Sequence, residues 1–204
     1  FIAATGERRV QRTYPPEVVR ELITNALMHQ DLNSKGDCVL CEIFENRVEI
    51  TNPGTLLIDK DRIVDLPPKS RNELLAGLMR HMHLCEELGM GWDKVVELCE
   101  NAQLPSPSII QYPDRATRIV LYSHIDFFEM TNEQKLWACY LHTCLLAMKN
   151  QSATNATLRD RFGLGSKSAS SVSRLLRDAV TQGLIKLKDD AVGTKAKRYV
   201  PYWA

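Results

Sequence analysis

Apolar residues of the chain recur at helical spacing in several stretches and at strand-like spacing between them. Pro15-Pro16 closes an extended lead-in, and Pro16 is suited to the first turn of a helix. The spacing that follows predicts a helix burying Val19, Leu22, Ile23, Ala26 and Leu27. Residues 38–44 and 47–52 read as two strands joined through Glu45-Asn46. Beyond the Pro-containing stretch 65–72 the pattern predicts a helix with Leu74, Leu75, Leu78, Met79 and Met82 inward. A further helix runs through Val95, Val96 and Cys99, and strands close the segment at 108–112 and 117–123.

A second set of elements starts at Thr131. Thr131 and Gln134 have capping-box spacing, ahead of a helix with Trp137, Tyr140, Leu141, Cys144, Leu145 and Met148 on one stripe. A short helix capped at Asn155 follows, and Gly163-Leu164-Gly165 supplies a turn. The next helix, about 168–182, places Val172, Leu175, Leu176, Ala179 and Val180 on one face and stops at Gly183. A strand at 184–188, a loop at 189–194 and a returning strand at 195–202 complete the chain. Helix, helix, glycine turn, helix and hairpin is the order of a winged helix-turn-helix. The reading is therefore two domains, 1–125 and 131–204.

Composition alters this picture only through charge. The 204 residues carry 44% hydrophobic and 25% charged content, which excludes disordered and fibrous classes. No apolar run approaches a membrane span and no secretion signal opens the chain, so a cytoplasmic protein with no membrane partner is expected. The start at Phe1 rather than Met predicts a fragment or processed form. The net charge of +1 hides a division. Residues 1–130 hold 14 Lys and Arg against 20 Asp and Glu, whereas 131–204 hold 12 against 5. A basic half beside an acidic one points to nucleic acid, with a solvated basic face as the alternative. The six cysteines are irregularly spaced and read as free thiols acting as small buried hydrophobes rather than metal ligands.

On the basic segment, Ser166, Lys167, Ser168, Ser170, Ser171, Ser173, Arg174 and Arg177 fall opposite the apolar face. Short hydroxyls permit close approach to a phosphate backbone, and the cations supply charge-assisted contacts. Lys195, Lys197 and Arg198 would sit on the wing. The segment 155–177 resembles winged helices of bacterial transcription regulators, which implies double-stranded DNA as partner.

On the acidic segment, Glu21, Asn25 and His29 are four residues apart and climb one side of a helix. They suit the orientation of a water and a metal-bound phosphate, or form an ordinary solvent-facing stripe. Gly89-Met90-Gly91 precedes a helix, a workable phosphate cradle or a point of tight packing. Together Glu21-Leu22-Ile23-Thr24-Asn25-Ala26-Leu27-Met28-His29, Val48-Glu49-Ile50-Thr51-Asn52-Pro53-Gly54, Arg71-Asn72-x-Leu74-Leu75-Ala76 and Glu87-x-Gly89-x-Gly91 resemble a divergent GHKL-type ATPase domain. This is the version labelled RecG-like helicase C-terminal in predicted bacterial regulators, where a further N-terminal AlbA/Schlafen-like domain is common.

The resemblance covers about residues 8–123. It implies an α+β fold, a two-layer α/β sandwich of GHKL (Bergerat) type followed by the winged helix. In active members a Glu activates water and an Asn holds Mg²⁺, roles that map onto Glu21 and Asn25. Gly89 and Gly91 map onto the glycines around the phosphates, and Asn52 with Gly54 onto the adenine side of a nucleotide site. Asn52 stands where active members place an Asp, and Pro53 removes a backbone donor. No Gly-x-x-x-x-Gly-Lys-Ser/Thr segment is present, which excludes a P-loop DNA motor. The expectation is a DNA-binding transcriptional regulator with a degenerate GHKL-like sensing or assembly domain and no certain cofactor. A Mg-ATP-hydrolysing enzyme and a dimerisation scaffold are the alternatives, the latter as a homodimer.

Overall fold

The computed structural model describes residues 13–67, 69–84, 91–113, 115–188 and 197–204. Helix α1 (Pro16–His29) leads into β1 (Leu40–Ile43) and β2 (Arg47–Pro53). Helices α2 (Glu73–His81) and α3 (Trp92–Asn101) follow, then β3 (Ser108–Tyr112) and β4 (Ala116–Tyr122). The four strands form one antiparallel sheet in the order β1-β2-β4-β3. In its register Val48 faces Leu121, Ile50 faces Ile119 and Asn52 faces Thr117. These six residues alternate along their strands and are all buried, so one face of the sheet is the core side. Helix α1 packs on β2 and α3 packs on α1, which makes this part a mixed α+β layer structure.

The second set comprises α4 (Asn132–Met148), α5 (Asn155–Arg161), α6 (Ala169–Thr181) and the antiparallel pair β5 (Ile185–Leu187) and β6 (Tyr199–Pro201). The Thr131–Gln134 capping box forms as its spacing predicts: Gln134 N donates to Thr131 Oγ1 and Thr131 N to Gln134 Oε1. Gly163 makes the turn after α5 at φ 64°, a left-handed conformation that glycine adopts without cost. Helix α6 buries Val172, Leu175, Leu176 and Ala179, while Val180 turns toward solvent. The loop expected at 189–194 lies outside the described residues.

Several helix faces differ from expectation. In α1 the deeply buried positions are Val18, Leu22 and Ala26; Val19 and Ile23 are half-buried and Leu27 is exposed. In α2 only Ala76 and Met79 go inward, and Leu74, Leu78 and Met82 are 93%, 55% and 57% exposed. A nine-residue helix lying across the body buries one narrow edge, so apolar spacing alone misassigned its outer side. Helix α4 carries no single stripe: residues 138–145 are buried all round, because α3, α5, α6 and β6 surround it. The cap of α5 is Thr154, whose hydroxyl accepts from Thr157 N. The Asn155 amide instead donates to Ala169 O and Ser173 Oγ of α6. Among the cysteines, Cys38 and Cys41 are exposed rather than buried. Burial pushes the thiols of Cys99, Cys139 and Cys144 up to about 12, which keeps them unreactive. Cys85 lies outside the described residues.

The residues before and after position 130 share one continuous hydrophobic core. Polar contacts cross the same boundary. Trp137 Nε1 donates to Pro107 O at 3.0 Å, and Tyr140 OH donates to Asp61 O. A third crossing is made by the largely buried Glu100 carboxylate near the end of α3. One oxygen meets His142 Nδ1 at 2.9 Å and the other lies 3.2 Å from Arg161 Nε. Arg161 Nη2 further donates to Leu104 O at 2.8 Å. Burial pulls the Arg161 guanidinium below its ordinary range while Glu100 acts in the opposite sense. No described helix is long and apolar enough to cross a membrane.

A buried charge left alone is costly, whereas an exposed pair is screened. Arg161→Ala is expected to lower unfolding free energy by about 3–5 kcal/mol, since it leaves Glu100 with His142 alone and takes the donor from the Leu104 carbonyl. The Lys149–Glu97 pair is shorter, 2.6 Å, but about half exposed at both ends. Lys149→Ala is expected to cost below ~1 kcal/mol. Urea unfolding of both variants checks the contrast, and equal losses would contradict it.

Candidate functional site

Between α1, the sheet and the start of α3 lies a cavity of about 140 Å³. That is close to the size of an engineered cavity that takes up benzene. Helix α1 presents Asn25 and His29 to it, one turn apart along a single side, with Ala26 beside them. Strand β2 contributes Asn52 and β4 contributes Thr117 and Ile119. The first residues of α3 contribute Gly91, Trp92 and Asp93. The remaining wall comes from the segment after β2, including Leu56, Ile58, Val64 and Leu66, with Lys69 beyond it. The lining is therefore mostly apolar, with a few amide, hydroxyl and imidazole groups converging on it.

Glu21 sits one turn below Asn25, and Asn25 Nδ2 donates to its Oε1 at 3.2 Å. Gly91 abuts the same pair. A Cβ on Gly91 would lie 3.2 Å from Glu21 Oε1 and 3.7 Å from Asn25 Nδ2, so the glycine allows α3 to begin against them. The structure thus brings Glu21, Asn25 and Gly91 together. Gly89 lies outside the described residues. Burial, reinforced by the Arg71 guanidinium, holds the His29 pKa below its ordinary value, so near pH 7 the ring is neutral and can donate or accept.

Asn52 is buried, and its Nδ2 donates to Pro53 O at 3.2 Å, which engages the NH₂ group and leaves the side-chain carbonyl as an acceptor. Gly54 is not part of the cavity wall. At φ 98° it turns the chain after β2, and a Cβ there would press on Asp31 and Arg71 at 3.2–3.3 Å. Its carbonyl accepts from Thr117 Oγ1 at 2.8 Å, which orients a residue that does line the cavity. Among the described residues no group of three or more His, Cys, Asp or Glu side chains is placed to hold a metal ion. A Mg²⁺ ion here would therefore depend on Asn25 and the phosphates of a bound nucleotide.

Helical spacing pointed to Asn25 and His29, and the family resemblance to Asn52 and Gly91, but neither pointed to the wall from 55 to 66. That segment has neither helical nor strand periodicity. Its one signal is the density of apolar residues at Leu56, Leu57, Ile58, Ile63, Val64 and Leu66 in a stretch where the pattern predicts no helix or strand to bury them.

The candidate DNA-facing residues occupy a different region. Ser170, Ser173, Arg174 and Arg177 are exposed on α6, and Ser171 is half-buried beside them. Ser166 and Lys167 are exposed and Ser168 is half-buried in the single turn leading into α6. Lys197 and Arg198 are exposed just before β6, and Lys195 lies outside the described residues.

Comparison with known proteins adds the following. The DIP2311 protein from Corynebacterium diphtheriae, known as a crystal structure, has a similar fold, with a TM-score of 0.54 and 17% identity. The match covers 93% of this chain and 41% of that one, so this chain spans less than half of that protein's length. No curated protein matches. Residues 36–121 match the family described as "Putative ATP-dependent DNA helicase recG C-terminal", in line with the resemblance that the motifs carry.

Proposed function

We propose that the chain is a DNA-binding regulator whose C-terminal segment, 131–204, acts as a winged helix-turn-helix, and whose cavity senses a small ligand. The observation that carries this reading is the exposed side of α6. Arg174 and Arg177, three residues apart, project with Ser170 and Ser173 from a helix whose other side is buried. Asn155 ties α5 to α6, and the Gly163 turn sets the angle between them. The β5–β6 pair, with Lys197 and Arg198 beside it, stands where a wing would reach a neighbouring groove. The excess of cations after residue 130 supplies the attraction to phosphate.

A second reading, an ATP-binding and hydrolysing site, is favoured by the Glu21–Asn25–Gly91 grouping and by the family of residues 36–121. Asn25 would hold Mg²⁺, Glu21 would activate water, and the Asn52 carbonyl would accept from the amino group of adenine. The neutral amide at 52 supplies less attraction than a carboxylate would, so weak binding is expected.

If α6 meets phosphates, affinity for duplex DNA falls steeply with salt. Arg174→Ala with Arg177→Ala is expected to weaken binding at low salt and to reduce the slope of log K against log salt by about two. Fluorescence anisotropy across a salt series measures both, and binding that is absent or independent of salt overturns the DNA reading. For the second reading, calorimetric titration with Mg-ATP is expected to give binding that Asn25→Ala removes. Heat that is undetectable at millimolar nucleotide refutes it. Gly91→Ala is expected to weaken that binding while changing stability by less than ~1 kcal/mol, since the backbone at 91 is helical and only a flexible carboxylate must move.

A further inference from the structure

We propose that α3 is the element through which occupancy of the cavity is communicated to α5 and α6. This inference rests on the ligand-sensing reading above and assigns it a route. Helix α3 starts in the cavity, where Gly91, Trp92 and Asp93 form part of the wall. About 12 Å further along its axis, Glu100 meets His142 of α4 at 2.9 Å and Arg161 of α5 at 3.2 Å. Both partners are buried, so these contacts are not screened by solvent.

A second contact leaves the same end of the helix. Gln103, just past α3, packs over the turn after α5: a Cβ on Gly163 would lie 2.5 Å from its Oε1. Arg161 and Gly163 mark the end of α5 and the turn that leaves it toward α6, and the end of α3 touches both. Its middle is enclosed, with Val95, Val96 and Cys99 fully buried. A closely packed helix cannot absorb displacement internally, so a ligand that shifts its first turn shifts its last. Helix α6 follows because Asn155 of α5 is bonded to Ala169 O at 2.8 Å and to Ser173 Oγ at 3.0 Å. The coupling is reciprocal: DNA on α6 biases the cavity as the cavity biases α6.

The test replaces the ligand with a side chain. Ala26 lines the cavity, and Ala26→Leu fills part of it. In the 204-residue chain, Ala26→Leu is expected to change duplex affinity by about fivefold or more and to alter amide exchange along α5 and α6. In a Glu100→Gln background both effects are expected to fall toward none. Gln103→Ala, a change at an exposed side chain, reduces them without the risk to folding that a buried substitution carries. Exchange and affinity unaffected by Ala26→Leu overturn the inference, as do effects that persist undiminished in both backgrounds. Absence of duplex binding by the unmodified chain ends the DNA reading alone, because amide exchange still decides whether the cavity and α6 are coupled.

Discussion

The Glu100 carboxylate is shared between an imidazole on α4 and a guanidinium on α5, and this contact governs how the two parts of the chain sit together. An apolar interface tolerates sliding, since any apolar surface covers another. A buried carboxylate does not, because each lost partner exposes it to the full cost of desolvation. Arg161 adds direction through its bond to the Leu104 carbonyl, which pins α5 to the chain leaving α3. The position of α6 then follows from α5 through Asn155 and the Gly163 turn.

The cavity is placed by the same logic working from its other side. Helix α1 can approach the start of α3 because residue 91 has no side chain, and this approach lays the α3 backbone against the Glu21–Asn25 pair that helical spacing sets together. Thr117 and Gly54 join β4 to the turn after β2, so the polar groups of the wall are held by hydrogen bonds rather than by packing alone. The result is an apolar pocket with few polar groups, suited to a flat or compact molecule whose edge makes specific hydrogen bonds. The cationic side of α6 belongs to a separate surface, and α3 runs from the cavity to the end of α5.

Where local chemistry decides, the sequence was legible. The Thr131–Gln134 capping box, the turn at Gly163 and the buried face of α6 all depend on residues within a few positions of one another. So does the line of Asn25 and His29 along α1, because helical spacing places both on one side in any context. Reading failed where a second element claimed the residue. Asn155 is a good capping residue by type, yet its amide is drawn to α6 and Thr154 takes the cap. Leu74, Leu78 and Met82 form a sound apolar stripe, but the body offers α2 only enough surface to bury Ala76 and Met79.

By itself the sequence determined the order of helices and strands, the acidic and basic division, and the match of residues 36–121 to a known family. Periodicity, composition and motif are properties of neighbouring positions. Only the tertiary structure decided which side of each helix is inside, that residues 55–66 wall a cavity, and that Glu100 joins His142 and Arg161. Those facts depend on groups distant in the chain meeting at hydrogen-bond range, 42 residues apart for Glu100 and His142. No spacing rule encodes such a meeting. It arises when the core closes and leaves each buried charge a single place to find its partner.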